Sequence, residues 1–168
     1  SVDRARSLGL PYVTILSAIA RHNAYVDDAV QLRGGWAIDS DQLYASAGLG
    51  PEGIDCIETY DDYPVVSMLQ LEDLGFCQKG EAAQFVRNTP LTCDGGGLPH
   101  NTSGGQLSVG QAGSAGGFLG LVEGLRQVTG QALGGQVEDA HTGLISGFGM
   151  VNYDRGLGAA AAIIQQGK

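Results

Sequence analysis

The sequence predicts a layered α/β domain in which helices cover a mixed sheet, and three stretches carry that prediction. A β-branched run, YVTILSAIA over residues 12–20, follows Pro11 and reads as a strand. A second short strand over 54–59 leads into a helix with Pro64 in its first turn and Gly75 at its stop. The third stretch, HNTSGGQLSVGQAGSAGGFLGLVEGLRQVTG over 100–130, is a glycine-rich loop that delivers the chain into an apolar helix. Elements that alternate in this way stack as layers, because each has an apolar face to bury.

In chain order, the strand at 12–20 is followed by a mixed polar and apolar stretch, 21–38, broken by Gly34 and Gly35 and expected to be a loop whose exposed tip is a candidate partner contact. Asp39 or Ser40 can cap a helix that runs through Ala47 and ends at Gly48, with Pro51 beyond it. After the strand at 54–59, Asp62 is expected to cap the next helix, with Val65, Val66, Met68, Leu69 and Leu74 turned inward. A short helix is expected over 80–86, then turns through NTPLTCDGGGLPH. The helix from about Ser114 to Val128 is apolar almost all round, which marks it as buried. Gly113, Gly117, Gly120 and Gly124 fall three or four apart along it, as close backbone packing requires, although a glycine-rich loop at a helix start can also cradle an anion or oxyanion. Residues 140–145 and 157–164 read as strands around SGFGMVNYDRG, with AAAAII also compatible with helix.

The 168 residues suit one domain with a real core. Nine basic and eighteen acidic residues give a net charge of −9, and no Lys/Arg cluster interrupts it, so nucleic acid and anionic membranes are poor partners. No apolar run approaches a membrane span and SVDRARSLGL lacks a signal-peptide apolar region, so a soluble, cytoplasmic protein is expected. Cys56, Cys77 and Cys93 fit neither a disulfide framework nor zinc spacing and are expected to be reduced thiols. Asp61 and Asp62 lack further ligands at suitable spacing, so no metal is expected.

Three segments carry a family resemblance. NTSGGQLSVGQAGSAGG resembles the glycine-rich segment of sterol-carrier-type thiolases, approximately N-P-x-G-G-x-x-x-x-G-H-P-x-G-A-x-G. IETYDDYPVVSMLQLEDLGFC resembles their I-E-x-H-D-C-F segment with its helix, and HTGLISGFGMVNYDRGLGAAAAII their last glycine-rich hairpin. The likeness runs from about Arg4 to Gly167 in the family order. It implies a thiolase-like half with its glycine-rich helix buried between half-domains, and an N-terminal half, bearing the nucleophilic cysteine and much of the coenzyme A site, outside this chain. By itself this half should show an unsatisfied apolar face and be inactive. The resemblance further implies a homodimer, and coenzyme A as part of the substrate with no other cofactor.

The departures from the family pattern direct the chemistry. Tyr60 stands at the family's His or Asn position, Asp61 at its acidic position, and Gln111 and Ala112 where the G-H-P histidine and proline would be. Glutamine can donate a hydrogen bond but cannot act as a base. The late hairpin lacks the family's second cysteine and offers Tyr153 and Asp154. This pattern is similar to the thiolase-like aldolases of bacterial steroid side-chain degradation, which act on acyl-CoA thioesters with a small OB-fold partner. The resemblance implies retro-aldol cleavage of a β-hydroxyacyl-CoA, with Tyr60 and Tyr153 as acid/base groups and Asp61 orienting a neighbour. His100, Asn101, Gly110 and Gln111 would be the substrate or oxyanion contacts. Claisen thiolysis with relocated bases and a catalytically dead acyl-CoA-binding scaffold are the alternatives. The bland readings are that Tyr60 and Tyr63 cover a sheet edge, that Tyr153 is a hairpin tyrosine and that His100 is a loop histidine.

Overall fold

The computed structural model describes residues 1–111, 113, 116–152 and 155–167. Its centre is a four-stranded mixed sheet of β1 (Val13–His22), β2 (Cys56–Glu58), β3 (Thr142–Asn152) and β4 (Arg155–Gln166), in the order β1-β4-β3-β2. β4 is antiparallel to both β1 and β3, and β2 runs parallel to β3 with Cys56 opposite Gly143. The helices are α1 (Val2–Leu8), α2 (Trp36–Ala47), α3 (Pro64–Asp73), α4 (Ala82–Asn88), α5 (Gly105–Val109) and α6 (Phe118–Val128).

Successive strand residues point to opposite faces of a sheet, and adjacent apolar pairs exploit this. Leu144 and Ile163 enter a core with Trp36, Leu43, Ile57, Leu71 and Leu74, beneath α2 and α3. Their neighbours Ile145 and Ile164 enter a second core with Cys56 and Val128, beneath α6. Helices therefore cover a mixed sheet from both sides, as the sequence predicts.

Several element boundaries differ from expectation, each for a tertiary reason. α2 starts at Trp36, and Asp39 does not cap it. Its carboxylate takes two hydrogen bonds from Arg21 of β1, at 2.6 and 2.7 Å. The Trp36 ring is fully buried and its Nε1–H donates to the Ala160 carbonyl at 2.9 Å, which draws the preceding turn into the helix. Tyr63, not Asp62, holds the N-cap position of α3, without a side-chain cap bond. The inward face of α3 is Ser67, Gln70 and Leu71, while Val65 is exposed. The hairpin strands extend further toward each other than the apolar runs indicate, because Gly147 and Gly149 carry no hydropathy signal in a segment that still alternates. α1 and α5 were not anticipated. α5 is entered through Gly104 and Gly105, both at positive φ, where glycine is favoured.

The glycine stripe of α6 packs as expected at its centre. A Cβ at Gly120 would lie 3.2 Å from the Cβ of Glu58, and one at Gly124 would lie 3.0 Å from Ile145. Burial of the helix is one-sided in this chain: Glu123, Gly124, Gln127 and Val128 are buried, whereas Phe118 and Val122 are exposed.

Candidate active site

The site is built at the C-terminal end of β2, where the chain turns through Thr59, Tyr60 and Asp61. Parallel β2–β3 pairing and an isolated bridge from Ile57 to His100 bring the loop after Pro99 alongside. Asn101, at positive φ, accepts the Thr59 N–H through its Oδ1 at 2.7 Å and donates its own N–H to the Ile57 carbonyl at 3.0 Å. β2 is thereby prolonged in hydrogen bonding beyond its three ladder residues.

Tyr60 is clamped by a fully buried glutamine. Gln70 of α3 donates Nε2 to the Tyr60 carbonyl at 2.7 Å and to the Val66 carbonyl at 2.9 Å, and its Oε1 accepts from the Tyr60 N–H at 3.2 Å and the Ser146 hydroxyl at 2.6 Å. Satisfying every polar atom is what makes a buried amide tolerable. The sequence contained the signal for this: Ser67 and Gln70 stand three apart in the apolar run VVSMLQL, on one helix face.

The Tyr60 ring packs against Phe148, centroids 5.9 Å apart, and Phe148 stacks on Trp36. The Tyr60 hydroxyl accepts a hydrogen bond from Gln111 Nε2 at 2.9 Å. Burial, assisted by Asp62, raises the phenol pKa above its ordinary value despite that bond. Tyr60 therefore keeps its proton at neutral pH and suits donation better than abstraction. Tyr60 and Gln111 line one cleft of about 320 Å³ with Thr59, Gln106, Phe148 and Met150.

Asp61, His100, Asn101 and Gly110, also expected at the site, are not in the cleft lining. Asp61 is buried, and its Oδ1 accepts the Gln106 N–H at 2.7 Å, fixing the start of α5. A Cβ at Gly105 would collide with that carboxylate, a second reason for glycine there. His100 Nε2 lies 2.6 Å from Thr59 Oγ1, which is 2.7 Å from Ser67 Oγ, and burial pushes the imidazole down to about 4, so the ring is neutral. Gly110 ends α5 at positive φ. Tyr153 lies outside the described residues.

Behind the cleft is a polar cluster not anticipated from the sequence. Glu58 is buried and its pKa is pushed up to about 8, chiefly by loss of solvent. The Thr102 hydroxyl lies 3.0 Å from Glu58 and 2.7 Å from Glu123, which also accepts from Gln127 at 2.8 Å. With Glu58 protonated, its O–H donates to Thr102 and the Thr102 O–H donates to Glu123, so each bond has a proton. Cys56 is fully buried with its thiol pushed up to about 12, which makes it a poor nucleophile. Among the described residues no cluster of three His, Cys, Asp or Glu is placed to hold a metal, and no helix is long and apolar enough to cross a membrane.

A mixed sheet carrying an aromatic, amide-lined cleft at the end of its parallel strand fits the thiolase-type half-domain that the sequence resembles. The chain belongs to that family: the model described as "Thiolase C-terminal domain-like" matches residues 18–157. Among its relatives, "17-hydroxy-3-oxo-4-pregnene-20-carboxyl-CoA lyase" of Mycobacterium tuberculosis is 38% identical over 109 residues, covering 65% of this chain and 27% of the relative. "Steroid side-chain-cleaving aldolase" of Thermomonospora curvata is 44% identical over 92 residues, 55% of this chain and 22% of the relative. A solved structure, "Ltp2-ChsH2(DUF35) aldolase", superposes with a TM-score of 0.83 at 30% identity over 99% of this chain and 42% of that one. The chain thus spans about a quarter of the length of these curated relatives.

Proposed function

We propose that this chain is the C-terminal domain of an acyl-CoA-dependent carbon–carbon lyase that cleaves a β-hydroxyacyl-CoA by retro-aldol chemistry. The observation that carries the reading is the Tyr60 hydroxyl: it sits in the cleft, is held by Gln111 and packed on Phe148, and keeps its proton. In the reaction a base removes the β-hydroxyl proton, the Cα–Cβ bond breaks as the β-carbonyl forms, and the electron pair becomes a thioester enolate. Tyr60 hydrogen-bonds that enolate and protonates Cα, releasing a shortened acyl-CoA and a carbonyl product. Gln111 holds the phenol in line, and Tyr153 takes the base role. His100 and Asn101 act on substrate through Thr59, the first holding its hydroxyl and the second its backbone N–H, while Gln70 holds the Tyr60 backbone.

A thiolase-type N-terminal half completes the site against the exposed side of α6, and the only cofactor chemistry is that of the substrate's own coenzyme A. A homodimer and a small OB-fold partner complete the assembly, the latter suggested by the DUF35 component in the similar solved aldolase.

The test supplies the full-length enzyme and its partner with 17-hydroxy-3-oxo-4-pregnene-20-carboxyl-CoA, the thioester named for the M. tuberculosis relative. Cleavage is expected, and Tyr60→Phe should lower kcat by about 10²–10⁴-fold, the usual contribution of a general acid, with an unchanged circular dichroism spectrum. An unchanged rate in Tyr60→Phe would return that residue to structure. Acyl transfer from a β-ketoacyl-CoA to coenzyme A in place of cleavage would make the protein a Claisen acyltransferase.

A further inference from the structure

Within the cleft one buried acceptor has no partner. Gln106, on α5, is 9% exposed. Its backbone is fixed at both ends, with its N–H held by Asp61 at 2.7 Å and its carbonyl accepting from Gly110 at 2.9 Å. Its side-chain Oε1 is shielded from solvent and has no hydrogen-bond partner among the described residues. Only Ser17 Oγ shares that state among them, and it lies on β1, outside the cleft lining. A buried amide oxygen left unpaired is destabilising, and native structures rarely keep one without a use.

The surroundings of Gln106 show where a partner would come from. At Gly117, Gly147 and Gly149, all lining the cleft, a Cβ would meet nothing within 4 Å, so the walls there are bare backbone facing free space. The neighbouring polar side chains are already engaged: Gln111 with the Tyr60 hydroxyl, and Ser146 with Gln70. Gln106 is left as the buried cleft side chain with unmet acceptor capacity among the described residues, so a ligand that satisfies it must bring a donor.

We infer that Gln106 is the specificity-determining residue of the cleft, its Oε1 accepting the hydrogen bond of the substrate's β-hydroxyl on binding, before that O–H turns to the base that removes its proton. The inference rests on the retro-aldol reading above. In the reacting part of a β-hydroxyacyl thioester the hydroxyl is the one O–H or N–H donor, since the thioester carbonyl and Cα have none. A β-keto thioester offers only acceptors and would leave Oε1 unpaired. Sites that hydrogen-bond a substrate hydroxyl reject analogues lacking it far more strongly than apolar pockets sort by size. Gln106 thus selects the aldol substrate over the Claisen one, and Asp61 is a positioning residue that acts through the Gln106 backbone.

The experiment measures equilibrium binding to the full-length enzyme with its partner, on a Tyr60→Phe background that suppresses turnover. The two probes are the hydroxylated thioester used above and the same thioester without the hydroxyl. Tighter binding of the hydroxylated probe by tenfold or more is expected. Gln106→Leu should reduce that ratio to within twofold while affinity for the deoxy probe holds. Gln106→Met repeats the test should the leucine variant fold poorly, and Gln106→Glu, which keeps an acceptor, should retain the preference. An unchanged ratio in the leucine and methionine variants overturns the inference. So does an equal loss for both probes, which would place Gln106 against the coenzyme A arm they share. Because the readout is binding, a wild type that prefers the hydroxyl but does not cleave would sink the lyase reading alone. Cleavage with a Gln106-independent ratio would sink only the present one.

Discussion

Beneath α2 and α3, Leu43, Leu71, Leu74, Leu144 and Ile163 are fully buried and close one face of the sheet with apolar side chains. Beneath α6 the opposite face joins Ile145, Ile164 and Val128 to a buried hydrogen-bonded group of Glu58, Thr102, Glu123 and Gln127. The outer side of the same helix exposes Phe118 and Val122. The first face is finished within this chain. The second is finished only on its inner side, and the cleft opens at its edge, beside Gly120 of α6 and Gly117 at its N-cap, with Ser146 and Phe148 of the first face in its lining. The two sides of the sheet serve differently: an apolar seal that also anchors Tyr60 through Gln70 and Phe148, and polar, glycine-lined packing where the proposed substrate and second half-domain would be received.

The strongest way to break this contrast is on the sealed face. Leu144→Ala removes a side chain with no solvent exposure and should destabilise the domain by about 2–5 kcal/mol, read from urea unfolding midpoints. A loss well under that range would mean the face is not the stabilising one.

A smaller, pH-dependent effect belongs to the polar face. The carboxyl of Glu58 is raised from 4.5 to about 8, so the native state holds a proton that the unfolded chain releases, and stability falls as pH rises through that window. His100, lowered to about 4, has the opposite sign: stability rises with pH between about 4 and 6.5. The two offset each other below pH 6.5, which leaves Glu58 alone above it. Stability should therefore drop by on the order of 1–2 kcal/mol from pH 6.5 to 8, and Glu58→Gln should flatten that drop. An equal slope in the variant would assign the dependence to other groups.

The smallest effect is expected on the outer side of α6. Phe118→Ser, at an exposed helix start, should change the stability of this domain by less than about 0.5 kcal/mol. In the full-length protein proposed above, the same change should weaken packing of the thiolase-type N-terminal half, measured as easier proteolysis between the halves. If the isolated domain lost as much stability as Leu144→Ala, the outer side would belong to its core.

Much of the fold was legible in residue order. The strand that starts at Val13, the stop of α2 at Gly48, Pro64 at the start of α3 and the glycine stripe packing on Glu58 and Ile145 follow from β-branching, turn chemistry and the absence of a Cβ, which act locally. The candidate site was legible in part: Tyr60 and Gln111 were singled out by departing from the family pattern, and they meet in the cleft. Asp39 and Asp62 were misread as caps because a short carboxylate beside a helix start looks the same in sequence whether or not it caps. Only in three dimensions does Arg21, eighteen positions away, claim Asp39.

The amino-acid order alone determined the family, the layered α/β class, the acidic charge and the replacement of the family's histidines by groups that hydrogen-bond. Folding decided which of those groups face the cleft. Gln70 became a clamp, Glu58 a carboxyl that keeps its proton, and Gln106 an acceptor awaiting a donor. Burial and hydrogen-bond partners set the chemistry of a polar side chain, and for Glu58, Gln106, Tyr60 and Gln70 they include contacts between residues more than 40 positions apart.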